Sequence, residues 1–284
     1  MVHLRLDFAQ AQTLSLKQQE QQLLQGLSAD QRRRWDHWNG RMDDPNLAML
    51  SCLYRTHRKS ITPAQSRQNN KDFSGWLNSY ADWEVEDIRR QCYLTSSGTP
   101  VYHPESTGPL AVEIGVGVGL GLSWIKSALE AGMHPKVCDW LNKSLDNGRR
   151  ALKKIFDKAN YPKDRVFVLG EAKAYISHLL PHERVRILKI ARVIGHMGET
   201  DAQETYRALG KIVAYPENRI IVVDALACCE NDMVETETYS YRDEGAVVDW
   251  VSEGAGREVG IYRKRTHRDV TNAVFTALTL RAKQ

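Results

Sequence analysis

The chain has no C-x-x-C pair, no apolar run of membrane length and no strong net charge. Each absence removes a class of function. Cys52, Cys92, Cys138, Cys228 and Cys229 show no metal-ligand spacing. An odd count with two adjacent thiols fits reduced cysteines rather than a disulfide framework. The opening residues, MVHLRLDFAQAQ, lack the apolar core of a signal peptide. A formal charge of +4 over 284 residues demands neither nucleic acid nor a membrane surface. These readings predict a cytoplasmic protein with no membrane partner and no metal site, for which nucleic acid is not an expected partner and a homodimer is admissible. The length suits one large domain, or one domain of average size with a substantial addition.

What the chain does have is a glycine-rich stretch, Leu110 to Leu122, reading LAVEIGVGVGLGL. Leu110, Ala111, Val112 and Ile114 make a short apolar run, as in a buried parallel strand. Glycines follow at Gly115, Gly117, Gly119 and Gly121, and an apolar helical pattern runs through Leu122, Ile125, Ala128 and Leu129. Strand, glycine turn and helix together form a place where a ligand can lie against main-chain N–H groups. A dinucleotide fingerprint needs G-x-G-x-x-G. The closing position is Leu120 in one register and Leu122 in the other, so neither completes it. A phosphate loop is also excluded, because no Gly-Lys-Ser/Thr follows the turn. The pattern present is G-x-G-x-G with Glu113 two residues ahead, and a carboxylate there suits a ligand bearing an amino group and a positive charge.

On these residues the sequence resembles the class I S-adenosylmethionine-dependent methyltransferases, whose first motif is an acid two residues before G-x-G-x-G. The rest of the chain, to its C-terminus, is similar to the same plan. Pro135 to Cys138 reads as a second strand ending at Asp139, 20 residues after Gly119. A carboxylate there can accept from both ribose hydroxyls; the competing reading is a helix cap. VCDWLNKSLDNGRRAL is similar to the family's second motif, and Trp140 is placed to lie along an adenine face. A third strand, Arg165 to Leu169, ends in Gly170-Glu171-Ala172. In the family an acid after this strand receives the adenine amino group, with Asp more usual than Glu171. The resemblance thus implies cofactor contacts from Glu113, Gly115, Gly117, Gly119, Asp139, Trp140, Glu171 and Ala172. The implied cofactor is S-adenosyl-L-methionine, with S-adenosyl-L-homocysteine as product.

A fourth strand falls within Val185 to Ile194, followed by Gly195-His196-Met197. In the family this turn sits beside the transferred methyl group, which makes His196 the candidate general base or substrate contact. Lining the pocket is its other reading. A helix over Glu199 to Val213 leads to a fifth strand closing on Asp224, an acid that reads equally as substrate contact or loop residue. A helix over Asp243 to Val251 and strands over Glu258 to Arg265 and Asn272 to Leu280 complete the pattern. A closing antiparallel hairpin separates the methyltransferase sheet from a dinucleotide-binding sheet. The expected fold is therefore α/β, a Rossmann-like, mostly parallel sheet with an antiparallel C-terminal strand. No Asn-Pro-Pro-Tyr, Asp-Pro-Pro-Tyr or Pro-Cys follows the fourth strand, which argues against methylation of adenine, glutamine amides or cytosine. Glu230, Asp232 and Glu235 read as solvated loop acids.

The N-terminal part matches no motif of the family. Leu16, Leu23, Leu24 and Leu27 fall at helical spacing, and Ser28 to Asp30 can cap a helix carrying Arg32, Arg33, Arg34, Trp35 and Trp38. The arginine triplet reads as a solvated face. Pro45 and Pro63 punctuate short helices, and another helix covers Ser74 to Gln91. Four of the seven tryptophans lie here, either as packing or as the aromatic wall of a substrate lid. Residues 95–108 shift to Ser, Thr, Gly and Pro, which places a boundary between a helical extension over 1–105 and a cofactor domain over 106–284. Trp76, Trp83, Tyr102 and His196 are the candidate substrate residues. The expected activity is transfer of a methyl group to O or N of a small organic acceptor, a natural product included. A non-catalytic adenosyl-binding protein, and a methyltransferase of protein or RNA, are the alternatives.

Overall fold

The structure is a computed structural model and describes residues 14–42, 62–92, 108–163, 166–178, 182–224, 226–227, 242–268 and 274–283. Tyr102, His103, Pro45, the boundary loop up to residue 107 and the acids Glu230, Asp232 and Glu235 lie outside the described residues.

Among the described residues, three helices precede the sheet: α1 (Leu16–Gly26), α2 (Ala29–Asn39) and α3 (Pro63–Cys92). All three begin with the same reciprocal cap. Ser15, Ser28 and Thr62 each accept from the N–H of a glutamine three residues on, and Gln18, Gln31 and Gln65 accept from the cap's own N–H at 2.9 Å. Pro63 does not break a helix, as the sequence reading expects. It takes the first helical position of α3, where no N–H is required. One helix of 30 residues therefore stands where shorter ones are predicted.

The strands follow as β1 (Leu110–Ile114), β2 (His134–Asp139), β3 (Phe167–Leu169), β4 (Val185–Ala191) and β5 (Arg219–Asp224). After them come β6 (Leu226–Ala227), β7 (Arg242–Asp243), β8 (Val259–Arg268) and β9 (Val274–Ala282). Between them run α4 (Ile125–Glu130), α5 (Asn142–Ala159), α6 (Ala172–His178), α7 (Glu199–Val213) and α8 (Glu244–Ala255). Seven strands form one sheet in the order β3-β2-β1-β4-β5-β9-β8, while β6 and β7 pair separately. The first five run parallel, and β9 lies antiparallel to both neighbours. The fold class expected from the sequence is thus the one observed. No described helix is long and apolar enough to cross a membrane.

Helices cover both faces. Ile125 of α4, Leu145 and Phe156 of α5, and Phe73, Tyr80 and Ile88 of α3 share one core with Ala111, Ile187 and Ile221 of the sheet. Residues of α6, α7 and α8 pack the other face. Each large side chain buried this way contributes about 1.5–3 kcal/mol. The N-terminal segment is thereby part of the main core, through α3.

A buried ion network fixes α3 to the far side of the sheet. Glu84, fully buried, accepts from Arg219 of β5 at 2.8 Å, Arg263 of β8 at 2.7 Å and Thr279 of β9 at 2.9 Å. Arg219 also reaches Asp87 at 2.6 Å and Gln91 at 2.7 Å. Such a network holds geometry, and removing one partner strands a buried charge. Glu84→Ala is accordingly expected to cost about 3–5 kcal/mol in urea unfolding. A loss below about 1 kcal/mol, the range of solvent-screened surface pairs, would mean that water reaches the network.

Candidate functional site

In an open parallel sheet, a crevice opens outside the carboxyl ends of the strands where strand order reverses. Here β2 and β4 leave β1 on opposite sides, and a cavity of about 220 Å³ lies at that point. The glycine turn and the ends of β2 and β3 line it with Val116, Asp139, Trp140, Gly170, Glu171 and Ala172. Ala191 to Val193, with His196 and Met197, line it beyond β4. From the N-terminal helices come Arg34 and Trp38 of α2, and Asn70, Phe73 and Leu77 of α3.

The glycines of the turn divide into two kinds. A Cβ on Gly115 would stand 2.0 Å from Val193, and one on Gly119 3.1 Å from the Asn147 carbonyl. These two serve the packing of the turn on its own protein. Gly117, at φ +53°, would meet no atom within 4 Å, so its missing side chain leaves open space.

Glu113 sits beneath the turn, only 2% exposed. Its register partner across the parallel β1–β4 pair is Lys189, also buried, so the two side chains meet at the same level of the sheet. The Lys189 ammonium lies 3.0 Å from the Glu113 carboxylate and donates to the Gly121 carbonyl at 2.5 Å. Trp124 Nε1 donates to the same carboxylate at 2.7 Å. Burial pushes Glu113 up to about 7 against the pull of Lys189, and pushes Lys189 down. Glu113 thus has an ammonium partner within the fold and also lines the cavity.

Asp139 closes β2 and ties the turn down. One carboxylate oxygen accepts from the N–H of Val116 at 2.7 Å and of Gly117 at 3.3 Å, and the other from Leu141 at 2.9 Å. Burial, outweighing those bonds, pushes it up to about 6. Glu171 caps α6, accepting from Lys173 at 3.0 Å and Ala174 at 2.8 Å, and burial raises it as well. Both acids therefore act as backbone caps, and both line the cavity. The Trp140 carbonyl accepts from Trp35 Nε1 at 3.1 Å, which anchors α2 beside the end of β2.

His196 ends a short 3-10 turn, Ile194–His196, between β4 and α7. Its ring meets the Trp38 ring edge-on at 4.3 Å, and its carbonyl accepts from Arg34 at 2.7 Å. Trp76 and Trp83, both proposed from sequence for substrate, do not line the cavity. Trp76 is buried, stacked on His267 at 5.2 Å in the core. Trp83 is 52% exposed, with Arg263 lying 3.3 Å over its ring. The helix turns their faces towards β8 and away from the glycine turn. Asp224 is buried, 3.5 Å from the Tyr206 hydroxyl.

Of the four N-terminal tryptophans read as packing or as an aromatic wall, Trp38 lines the cavity, whereas sequence reasoning passes over Arg34, Asn70, Lys189 and Arg192 as site residues. Signals for two of them were present. Arg34 and Trp38 stand four apart on α2 and so share a face, which sets Arg34 apart from the exposed Arg33. A lysine inside the apolar run Ile187-Leu-Lys-Ile190 requires a buried acid, and Glu113 occupies the same level of the neighbouring strand.

No protein-family model matches the chain, and no curated protein sequence does. Among solved structures, the N-methyltransferase NodS from Bradyrhizobium japonicum WM9, in complex with S-adenosyl-L-homocysteine, is similar at a TM-score of 0.50 and 10% identity. The match covers 88% of this chain and 99% of that one. An O-methyltransferase family protein from Burkholderia thailandensis aligns at a TM-score of 0.46 and 11% identity, over 89% of this chain and 70% of that one. The chain has the class I methyltransferase fold. In that methyltransferase fold, the antiparallel β9 is the feature that tells this sheet from a dinucleotide-binding one.

Proposed function

We propose that this chain is an S-adenosylmethionine-dependent methyltransferase acting on O or N of a small organic acceptor. The observation that carries the reading is the cavity at the reversal of strand order, with open space at Gly117, a buried acid at the end of β2 and a half-buried one after β3. The residues present fit the cofactor. Asp139 and Glu171 both line the cavity, so a ligand that donates hydrogen bonds would be favoured beside them. Asp139 would hold the ribose hydroxyls, Trp140 and Ala172 the adenine face, and Glu171 the adenine amino group. Glu113 takes a different part: with Lys189 and Trp124 it holds the turn from below.

Bound S-adenosylmethionine supplies an electrophilic methyl group on a sulfonium. The chain's own share is to align the acceptor in line with that group and to exclude water. The two N-terminal helices α2 and α3 roof the acceptor end, with Trp38, Phe73 and Leu77 as its apolar surface. His196 would accept the acceptor's proton, its ring steadied by Trp38. His196→Ala is then expected to lower the rate by about 10²–10⁴-fold while cofactor affinity holds, with the loss shrinking as pH rises and the acceptor ionises unaided. A small loss that does not vary with pH would leave His196 as a wall of the pocket.

Affinity for S-adenosylhomocysteine should depend on pH in one direction. Ribose hydroxyls donate to the ionised Asp139 carboxylate, which is pushed up to about 6. Affinity is therefore level above that pH and falls as pH drops below it, since protonation removes an acceptor. Calorimetric titrations across that range check this, and a level profile into the acid side would remove Asp139 from ribose binding. Incubation with methyl-labelled cofactor and a cell metabolite extract tests the function itself. Label appearing in a small molecule supports the reading; label only in protein or RNA favours the alternative acceptors.

A further inference from the structure

Arg34 crosses from α2 to the turn that carries His196. It keeps 29% of its side chain exposed, against 76% for its neighbour Arg33, and it lines the cavity. Its guanidinium is held from two sides. Asp30, one turn earlier on α2, lies 2.7 Å from Nη2, and Nη1 donates to the His196 carbonyl at 2.7 Å. The next carbonyl of the turn, that of Met197, accepts from Arg242 at 3.2 Å. Gly198 follows as the N-cap of α7 at φ −64°, a conformation open to any residue. Ser, Thr, Asp or Asn is preferred at such a position because its side chain satisfies a helix N–H, and Gly198 supplies no such bond. A Cβ there would stand 3.0 Å from Arg34 Nη2. The missing side chain leaves room for the guanidinium to seat on the turn.

The same helix is fixed at the opposite lip of the cavity. Trp35 Nε1 donates to the Trp140 carbonyl just after β2, and Lys143 Nζ of α5 donates to the Asn39 carbonyl at 3.2 Å. Arg34 and Trp38, four residues apart and so on one face of α2, reach the turn after β4. One holds the main chain of His196 and the other meets its ring. Helix α2 thus spans the crevice from the end of β2 to His196. A hydrogen bond from a guanidinium already fixed by a carboxylate is a strong tie for a turn of three residues. We infer that Arg34 is a positioning residue, which through the His196 carbonyl fixes the imidazole against the acceptor. This rests on the methyltransferase reading with His196 as the base, and it gives α2 a part in the chemistry beyond roofing the pocket. Arg34 acts through His196 and takes no proton itself.

The test uses the full chain, methyl-labelled S-adenosylmethionine at saturation and a cell metabolite extract as the source of acceptor. Arg34→Met should slow label transfer about tenfold to hundredfold, the cost of a small misplacement of a reacting group. Its affinity for S-adenosylhomocysteine should match the parent's by calorimetry, which shows that it has folded. Arg34→Lys should regain part of the rate, because an ammonium can still donate to the carbonyl. Combined with His196→Ala, Arg34→Met should add little further loss, since a residue that acts through His196 then has nothing to place. A second readout needs no acceptor. In a proton–carbon spectrum of histidine-labelled protein, the His196 ring signal is identified by its absence from His196→Ala. That signal should move in Arg34→Met as the ring shifts against the Trp38 ring current. The parent's rate in Arg34→Met, losses that multiply in the double variant, or an unmoved ring signal would overturn the inference and leave the methyltransferase reading intact. No label transfer by the parent chain would count against that reading, and the ring signal would still decide whether Arg34 places His196.

Discussion

Lys189→Ala should destabilise the protein by about 3–5 kcal/mol near neutral pH, the cost of leaving a buried carboxylate without its partner. The effect should depend on pH with a definite sign. Glu113, already pushed up to about 7 by burial, rises further once Lys189 is gone. The folded variant then holds a proton that the unfolded chain releases above its ordinary carboxylate range, near 4.5. Its stability therefore falls as pH rises through that window and recovers on the acid side. Urea unfolding of parent and variant on either side of the window reads this directly. The double variant Lys189→Met with Glu113→Gln should recover much of the loss, because it removes both charges and keeps a partner for Trp124. A single variant as stable as the parent at all pH values would mean that the pair is solvated and that Glu113 is available to a ligand.

The second large effect separates the glycines. Gly117→Val should abolish detectable S-adenosylhomocysteine binding while the protein still folds. The added side chain enters open cavity, and the left-handed φ of +53° costs about 1–3 kcal/mol. Gly115→Val, by contrast, should fail to fold stably, since its Cβ would lie 2.0 Å from Val193. Circular dichroism melts with calorimetry on both variants distinguish the two outcomes. Normal ligand binding by Gly117→Val would show that the ligand does not approach the turn.

Much of this architecture was legible in the sequence, for physical reasons that vary by element. The buried strands β1 and β5 read clearly because Leu110–Ile114 and Arg219–Asp224 are short apolar runs next to turn residues. Helix α7 was readable to the residue, Glu199–Val213, because a glycine precedes it and a Tyr-Pro follows shortly after. The start of α3 was not, because proline weighs against a helix everywhere except at its first position. That error hid Asn70 and Phe73, which lie before the expected start at Ser74. A boundary near residue 105 follows loop composition, whereas packing follows apolar faces, and α3 places Tyr80, Val85 and Ile88 in the core of the sheet.

Site residues divide in the same way. Local patterns identified Asp139 and Glu171, since a strand followed by an acid and a helix is a short-range signal. The bonds of Asp139 to Leu141 and of Glu171 to Lys173 and Ala174, at 2.8–3.0 Å, belong to the same short range, whereas those of Asp139 to Val116 and Gly117 reach back to the glycine turn. The pairing of Glu113 with Lys189 needs the register of two strands that lie far apart in sequence, which no local pattern contains. The tryptophans fail for a related reason. Trp76 and Trp83 are counted correctly as aromatic, yet which side of α3 faces the cavity is decided by the ion network at Glu84 and by the stacking on β8.

The central claim is that the cavity at the glycine turn holds an adenosyl ligand rather than a dinucleotide. Thermal unfolding of the full chain with S-adenosylhomocysteine or with NADH tests it most directly. A ligand that binds only the folded state raises the melting temperature with concentration. The account predicts such a rise for S-adenosylhomocysteine and none for NADH. A rise with NADH and none with S-adenosylhomocysteine would contradict it.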